Sequence, residues 1–301
     1  MINKPVIRRD WSKRDLLNAL TVSLQESFRE LSGKTCGVLF SGGVDSSLVA
    51  LFAGKVAKRT TLLAVAAPDS HDAVAATSSA EALGFDLTRI LLEPEIAWDS
   101  LPEVIGAIGI ANQMDVEIAL PFFLAARSAR RLGVSLLVSG QGPDELFAGY
   151  ARYVRIYEES GEEELESHLW SDVSITHESN IKRDIRAAAA HGVEVFFPYL
   201  NPGFVRTAMS VPGSMKINLK KSPERKVVFR ELAISLGLPR AIAMAPKKAT
   251  QFSSGSAKAI LEAILRYSDK ARGLSINKAR SLVQAVLDEI ARDVGIPESD
   301  S

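Results

Sequence analysis

The sequence predicts an α/β fold, with a parallel sheet covered by helices on both faces and a mostly helical C-terminal extension. Three observations lead there. Up to Tyr150, short apolar runs of strand length alternate with stretches of helical periodicity. Two glycine-rich motifs directly follow such apolar runs, where a parallel sheet presents its ligand-binding edge. Beyond Tyr150 most patterns are helical.

Taken in order, residues 12–31 carry Leu16, Leu17, Leu20, Leu24, Phe28 and Leu31 at helical spacing, with Ser12 as a candidate N-cap and Gly33 as the stop. Residues 35–40 form an apolar run suited to a buried strand, and 46–58 read as a helix. The alternation continues with a strand at 60–67, a helix at 72–83 and a strand at 87–92. Helices at 101–110 and 120–131 lead to a buried strand at 134–139. Further on, proline-bearing loops at 197–201 and 245–248 interrupt helical patterns, and the last helix spans 278–294. The acidic stretch 158–166 reads as a solvated helix face. The expected organisation is an N-terminal helix over 1–33, an α/β core over 34–150, and a helical extension over 151–301 that completes the active site.

The 301 residues hold 36 basic and 36 acidic side chains, a balance that gives no reason to expect a nucleic-acid or membrane partner. Cys36 is the only cysteine, so no intrachain disulfide or thiolate cluster is possible, and its apolar run predicts a buried thiol. The N-terminus is polar and basic, and no apolar run approaches the roughly 20 residues that span a bilayer. A cytoplasmic location is the expectation. The four histidines show no metal-ligand spacing.

The motif Ser41-Gly42-Gly43-Val44-Asp45-Ser46-Ser47 lies between a predicted strand and a predicted helix. Gly42 and Gly43 let the backbone turn tightly and approach an anion, and the helix N-terminus aims free N–H groups at it. The hydroxyls of Ser41, Ser46 and Ser47 add donors. Asp45 would repel phosphates unless a cation lies between them, which points to magnesium. The Gly-Lys-Ser/Thr ending of a Walker A loop is missing.

This motif resembles the pyrophosphate loop of the N-type ATP pyrophosphatases, which cleave ATP between the α and β phosphates. A second motif, Ser139-Gly140-Gln141-Gly142-Pro143-Asp144-Glu145-Leu146-Phe147-Ala148-Gly149-Tyr150, is similar to the Ser-Gly-Glu-Gly-Ser-Asp-Glu-Leu-Phe-Gly-Gly-Tyr signature of the asparagine synthetase family. The stretches 192–201 and 246–255 also resemble segments of that family, so the likeness runs from about residue 34 to residue 255. It implies an adenine nucleotide α-hydrolase-like fold that binds ATP and magnesium. Asp144 would join Asp45 on the metal, Gly140 would help hold the nucleotide, and main-chain groups near Ala66 and Ala67 would contact the adenine. Ser70 and Asp72 resemble a Ser-x-Asp element of the family, with a plain N-cap role for Ser70 as the alternative. In the late loop, Lys247 would neutralise charge on the α-phosphate, with Lys248 in reserve.

The resemblance implies a ligase that adenylates a carboxylate, aspartate by default, and passes it to ammonia with release of AMP and pyrophosphate. The alternatives are another carboxylate and amine pair, or an ATP-binding regulatory protein of reduced activity. Several positions depart from the family. Gln141 replaces a glutamate thought to take a proton from the attacking amine, and an amide is no base; either another carboxylate or water removes the proton, or Gln141 only orients the substrate. Phe196, Asn201 and Ala245 stand where charged residues are usual. The chain opens Met1-Ile2 without the cysteine nucleophile of a glutaminase domain. Ammonia is therefore expected free or from a separate glutaminase subunit.

Overall fold

A computed structural model describes residues 3–68, 70–219, 223–246 and 254–297. Five parallel strands form the central sheet: β1 (Thr35–Leu39), β2 (Arg59–Ala66), β3 (Leu87–Leu91), β4 (Leu136–Val138) and β5 (Glu194–Phe196), in the order β3-β2-β1-β4-β5. The strand order reverses between β1 and β4. In an open α/β sheet such a switch point opens a crevice at the carboxyl ends of the strands. Both glycine-rich motifs begin there.

Helix α1 (Lys13–Phe28) starts where Ser12 Oγ accepts the Asp15 N–H at 3.1 Å, and it buries the stripe Leu16, Leu20, Leu24 and Phe28. After β1, α2 (Val44–Val56) begins two residues earlier than the predicted Ser46, which puts Asp45 in its first turn. Helix α3 (His71–Leu83) is capped by Ser70, whose hydroxyl accepts the Ala73 N–H at 3.2 Å.

The next two helices are longer than their periodicity predicts. Helix α4 (Pro94–Ile108) opens with Pro94 in its first turn, and α5 (Gln113–Arg131) is capped by Asn112 Oδ1 on the Met114 N–H at 3.0 Å. Each also carries an internal proline, Pro102 or Pro121, without breaking. Among the described residues no single helix is long and apolar enough to cross a membrane; α4 and α5 pass that test only together, bent by 103°.

The short helix α6 (Pro143–Leu146) leads into the segment past Tyr150. That segment contributes α7 (Ala151–Thr176), α8 (Lys182–Ala189), α9 (Pro202–Met209), α10 (Gly213–Lys216) and α11 (Val227–Ser235), with further helices at Ser256–Tyr267, Ile276–Arg280 and Val283–Asp293. Three expectations need correction here. First, the segment past Tyr150 is not only helical: Glu194–Phe196 pairs with β4 as the fifth strand, too short for a two-residue alternation to declare itself. Second, the helix expected over 278–294 breaks at Ser281 and Leu282, where Ser281 Oγ donates to the Lys278 carbonyl at 2.8 Å. Third, the acidic stretch is not wholly solvated. Glu166 is buried and accepts the Gly213 N–H at 3.0 Å, and Glu162 and Glu166 both bind Arg9.

Apolar side chains fill both faces of the sheet. One cluster joins Phe28, Leu48 and Phe52 to Phe204 and Phe229 from the extension. The other joins Val104, Leu120 and Phe123 to Ile260, Ile264 and Leu287. The extension therefore packs on both sides of the sheet. Cys36 lies in the first cluster, and burial pushes its thiol pKa up.

Candidate active site

The two motif loops meet as neighbours. Register pairs Val38 with Val138, so the residues after β1 and after β4 emerge side by side. Their backbones touch: a Cβ at Gly140 would lie 3.0 Å from the Ser46 nitrogen and 3.1 Å from the Asp45 carbonyl carbon. Gly42 has φ +76°, and a Cβ there would sit 2.3 Å from the Ala75 carbonyl. Only glycine fits that turn. Ser79 Oγ fixes it from α3 by donating to the Gly42 carbonyl at 2.9 Å.

The loop enters α2 with Gly43 as N-cap, and the first N–H groups of a helix lack intrahelical acceptors. Ser41, Gly42, Gly43, Asp45 and Ser46 line a cavity together with Gly140, Gln141 and Asp144. Ser46 Oγ accepts the Ser41 N–H at 3.2 Å and so shapes the loop. Ser47 points elsewhere; it is fully buried and outside the cavity lining. Ala66 also lies outside the lining, and its carbonyl accepts the Leu92 N–H at 3.0 Å. The Ala67 N–H donates to the Ser254 carbonyl at 2.8 Å. Asp72 and His71 line the cavity from α3. Lys247 and Lys248 lie outside the described residues.

Asp45 and Asp144 converge on a group the motifs do not contain. Lys226 Nζ lies 2.8 and 2.7 Å from the two Asp45 carboxylate oxygens and 3.0 Å from Asp144 Oδ1. The lysine side chain is fully buried, and burial pushes its pKa below the usual lysine range while Asp45 opposes that shift. Its backbone is left-handed at φ +57°, a conformation that costs a non-glycine residue energy and that recurs at functional sites. Gly149 makes room for the pair, since a Cβ there would fall 1.9 Å from Asp144 Oδ1 and 2.4 Å from Lys226 Cε.

The surroundings hold this arrangement in place. Arg225 donates to the Gly149 carbonyl at 2.7 Å, and Tyr199, fully buried, donates to the Asp45 carbonyl at 2.9 Å. Arg230 lines the cavity and donates to the Ala243 and Ala245 carbonyls, which fixes the chain just before Pro246. Glu145 accepts the Tyr150 hydroxyl at 2.6 Å, and burial raises its pKa.

Two carboxylates that share one cationic centre also suit magnesium, which typically takes one or two protein carboxylates and completes its shell with phosphate oxygens and water. Asp45 and Asp144 would hold it. Lys226, Arg225 and Arg230 escape sequence reasoning, and Tyr199 lies in the 192–201 stretch without having been given a role. For Lys226 and Arg230 the helical spacing was the available hint, and surface lysine–arginine pairs share it.

Gln141 sits at the cavity wall, and its amide nitrogen donates to Asp184, a wholly buried carboxylate on α8. Arg183 Nε donates to the other Asp184 oxygen at 2.8 Å, and its Nη1 reaches Asp115 at 3.0 Å. Of the remaining departures, Asn201 caps α9 by accepting the Gly203 N–H at 2.9 Å.

Similarity to known proteins runs along almost the whole chain. The sequence model of the asparagine synthase family matches residues 20–161 and 156–292. A protein of Methanocaldococcus jannaschii, provisionally named asparagine synthetase 1 (glutamine-hydrolysing), is 34% identical over 285 residues, covering 85% of this chain and 52% of the relative. Asparagine synthetase B (glutamine-hydrolysing) of Escherichia coli K12 is 28% identical over 270 residues, covering 82% of this chain and 48% of the relative. The chain thus spans about half the length of these curated relatives. Among solved structures, NMN synthetase from Francisella tularensis aligns over 95% of this chain and 94% of its own, at 15% identity and a TM-score of 0.42. With a family match running through almost the whole chain and both motifs gathered at the switch point, the chain belongs to the asparagine synthase family, a family of ATP-dependent ligases.

Proposed function

We propose that this chain joins a carboxylate to an amine at the expense of ATP, with aspartate and ammonia as the default pair. ATP lies over residues 41–47, its phosphates against the N-terminus of α2. Asp45 and Asp144 would hold magnesium, which when bound would neutralise phosphate charge. A carboxylate oxygen attacks the α-phosphorus, the bond to the β-phosphate oxygen breaks, and pyrophosphate leaves. The amine nitrogen then attacks the acyl carbon, AMP departs, and the nitrogen loses a proton. Lys226 and Arg230, which line the cavity, would steady the phosphates together with Lys247 of the late loop, and positioning with charge neutralisation supplies most of the rate.

The observation that carries this reading is the convergence of Asp45 and Asp144, 99 residues apart in sequence, on one cationic centre between two glycine loops. The chemistry is tested by carboxylate-dependent exchange of labelled pyrophosphate into ATP, screened over aspartate and other carboxylates. ATP binding without exchange for any carboxylate leaves the regulatory alternative standing.

A different carboxylate and amine pair is favoured by one feature. Gln141, paired with Asp184, offers the amine an uncharged neighbour where the family signature has a glutamate. Ammonia arrives free or from a separate glutaminase partner. Turnover with ammonium salts, set against glutamine with and without added glutaminase, separates these sources.

A further inference from the structure

The pairing of Gln141 with Asp184 joins a cavity-wall residue to a buried charge cluster that the reaction scheme leaves unused. Asp184 has no solvent exposure, Arg183 is 3% exposed, and both belong to α8, far in sequence from the second motif. One guanidinium serves two carboxylates, those of Asp184 and Asp115, so the cluster carries one negative charge in excess. It has room for a donor at position 141 and disfavours a third carboxylate there. Burial raises the Asp184 pKa to about 6, while the Arg183 charge and the hydrogen bonds from Arg183 and Gln141 act to lower it.

A carboxylate can only accept, so it dictates how the amide turns. Gln141 Nε2 is drawn inward to Asp184 Oδ2. That leaves Oε1 as the polar atom of the side chain available to the cavity, and no described residue donates to it. An amide free to rotate would offer the cavity either a donor or an acceptor.

We propose that Asp184 is a positioning residue that locks the Gln141 amide with its oxygen toward the cavity, as an uncharged acceptor for the N–H groups of the incoming amine. The inference rests on the amide-forming reading above. It narrows the second substrate to an N–H donor, such as ammonia or a primary amine, and it assigns Gln141 orientation of that donor and no proton removal.

The test compares Asp184→Asn, Gln141→Glu and the double variant. The amide that Asp184→Asn introduces accepts or donates, so the Gln141 amide loses its enforced orientation. The apparent KM for ammonium rises by about tenfold, the worth of one oriented hydrogen bond. The loss falls on the amine step, with amine-independent pyrophosphate exchange much less affected. Gln141→Glu sets two carboxylates face to face and also impairs the amine step. The double variant moves the charge to position 141, lets the new amide at position 184 donate to it, and recovers most of the lost affinity.

An ammonium KM unchanged in Asp184→Asn, or a double variant no better than either single one, overturns the proposal. Nuclear magnetic resonance of the Gln141 side-chain amide gives a readout independent of turnover. Its protons are protected from exchange in the parent and lose that protection in Asp184→Asn; equal exchange in the two also overturns the pairing. If the parent shows no carboxylate-dependent exchange at all, the functional reading falls, while the amide signals still decide the geometry.

Discussion

Lys226 Nζ and Asp45 face each other across 181 residues of sequence at 2.7–2.8 Å, with Asp144 on the same ammonium at 3.0 Å. The lysine thus stands as counter-ion to two carboxylates that would otherwise repel. Lys226→Met removes it and is expected to cost about 3–5 kcal/mol of stability, the usual penalty for breaking a buried ion pair from one side. Denaturant unfolding measures the loss. Added magnesium restores more stability to this variant than to the parent, because the ion supplies positive charge that the lysine no longer provides.

Asp45→Asn and Asp144→Asn keep the shape of the site and remove one charge each. Carboxylate-dependent pyrophosphate exchange is expected to fall by about 100-fold or more in either variant, in line with the loss of an electrostatic group at a phosphoryl centre. Circular dichroism confirms that the fold is retained. Full activity in either would remove the metal assignment.

Gly149→Ala introduces a methyl group 1.9 Å from Asp144 Oδ1. The carboxylate and the lysine stem must both shift. The expected cost is about 1–3 kcal/mol in stability, as for overpacking elsewhere, together with a large loss of exchange activity. Gly106→Ala is the control: neither position has a left-handed φ, and nothing lies within 4 Å of the carbon added at Gly106. It tests an added methyl group without the clash.

Lys216 is fully buried, its Nζ has no hydrogen-bond partner among the described residues, and burial lowers its pKa to about 7 from 10.5. Between those values the unfolded chain holds a proton that the folded chain has released. Stability therefore rises as pH increases from about 7 toward 10.5. Lys216→Met abolishes that rise and stabilises the protein near neutrality by about 1–4 kcal/mol. Thermal unfolding from about one unit below the folded value up to just below the unfolded one, roughly pH 6 to 10, reads both effects.

Much of the sheet and both loops were legible in the sequence because each carries a local signal. The run 35–40, the glycines at 42 and 43, and the second motif all declare themselves within a dozen residues. The starts of α4 and α5 did not, since Pro94 and Asn112 begin helices whose periodic core lies further on. β5 is three residues long and is defined by its partner β4. Lys226 and Asp184 were unreadable for a deeper reason. Nothing near either residue distinguishes it from a surface charge, and only folding brings each to its partner. Gln141 looked like a loss of function until Asp184 supplied its context.

The strand order also constrains how this chain is made. β5 and Lys226 both come after Tyr150, yet they complete a sheet and a charge centre begun by residues 35–45 and 136–144. While the polypeptide is emerging from the ribosome, β4 presents an unpaired edge and Asp45 and Asp144 lack their shared cation until position 226 has been synthesised. Non-local closure of this kind slows folding in general, because the chain must close long loops before the contacts reward it. A fragment ending at residue 150 therefore carries an open β4 edge, the kind of edge that invites pairing with another chain.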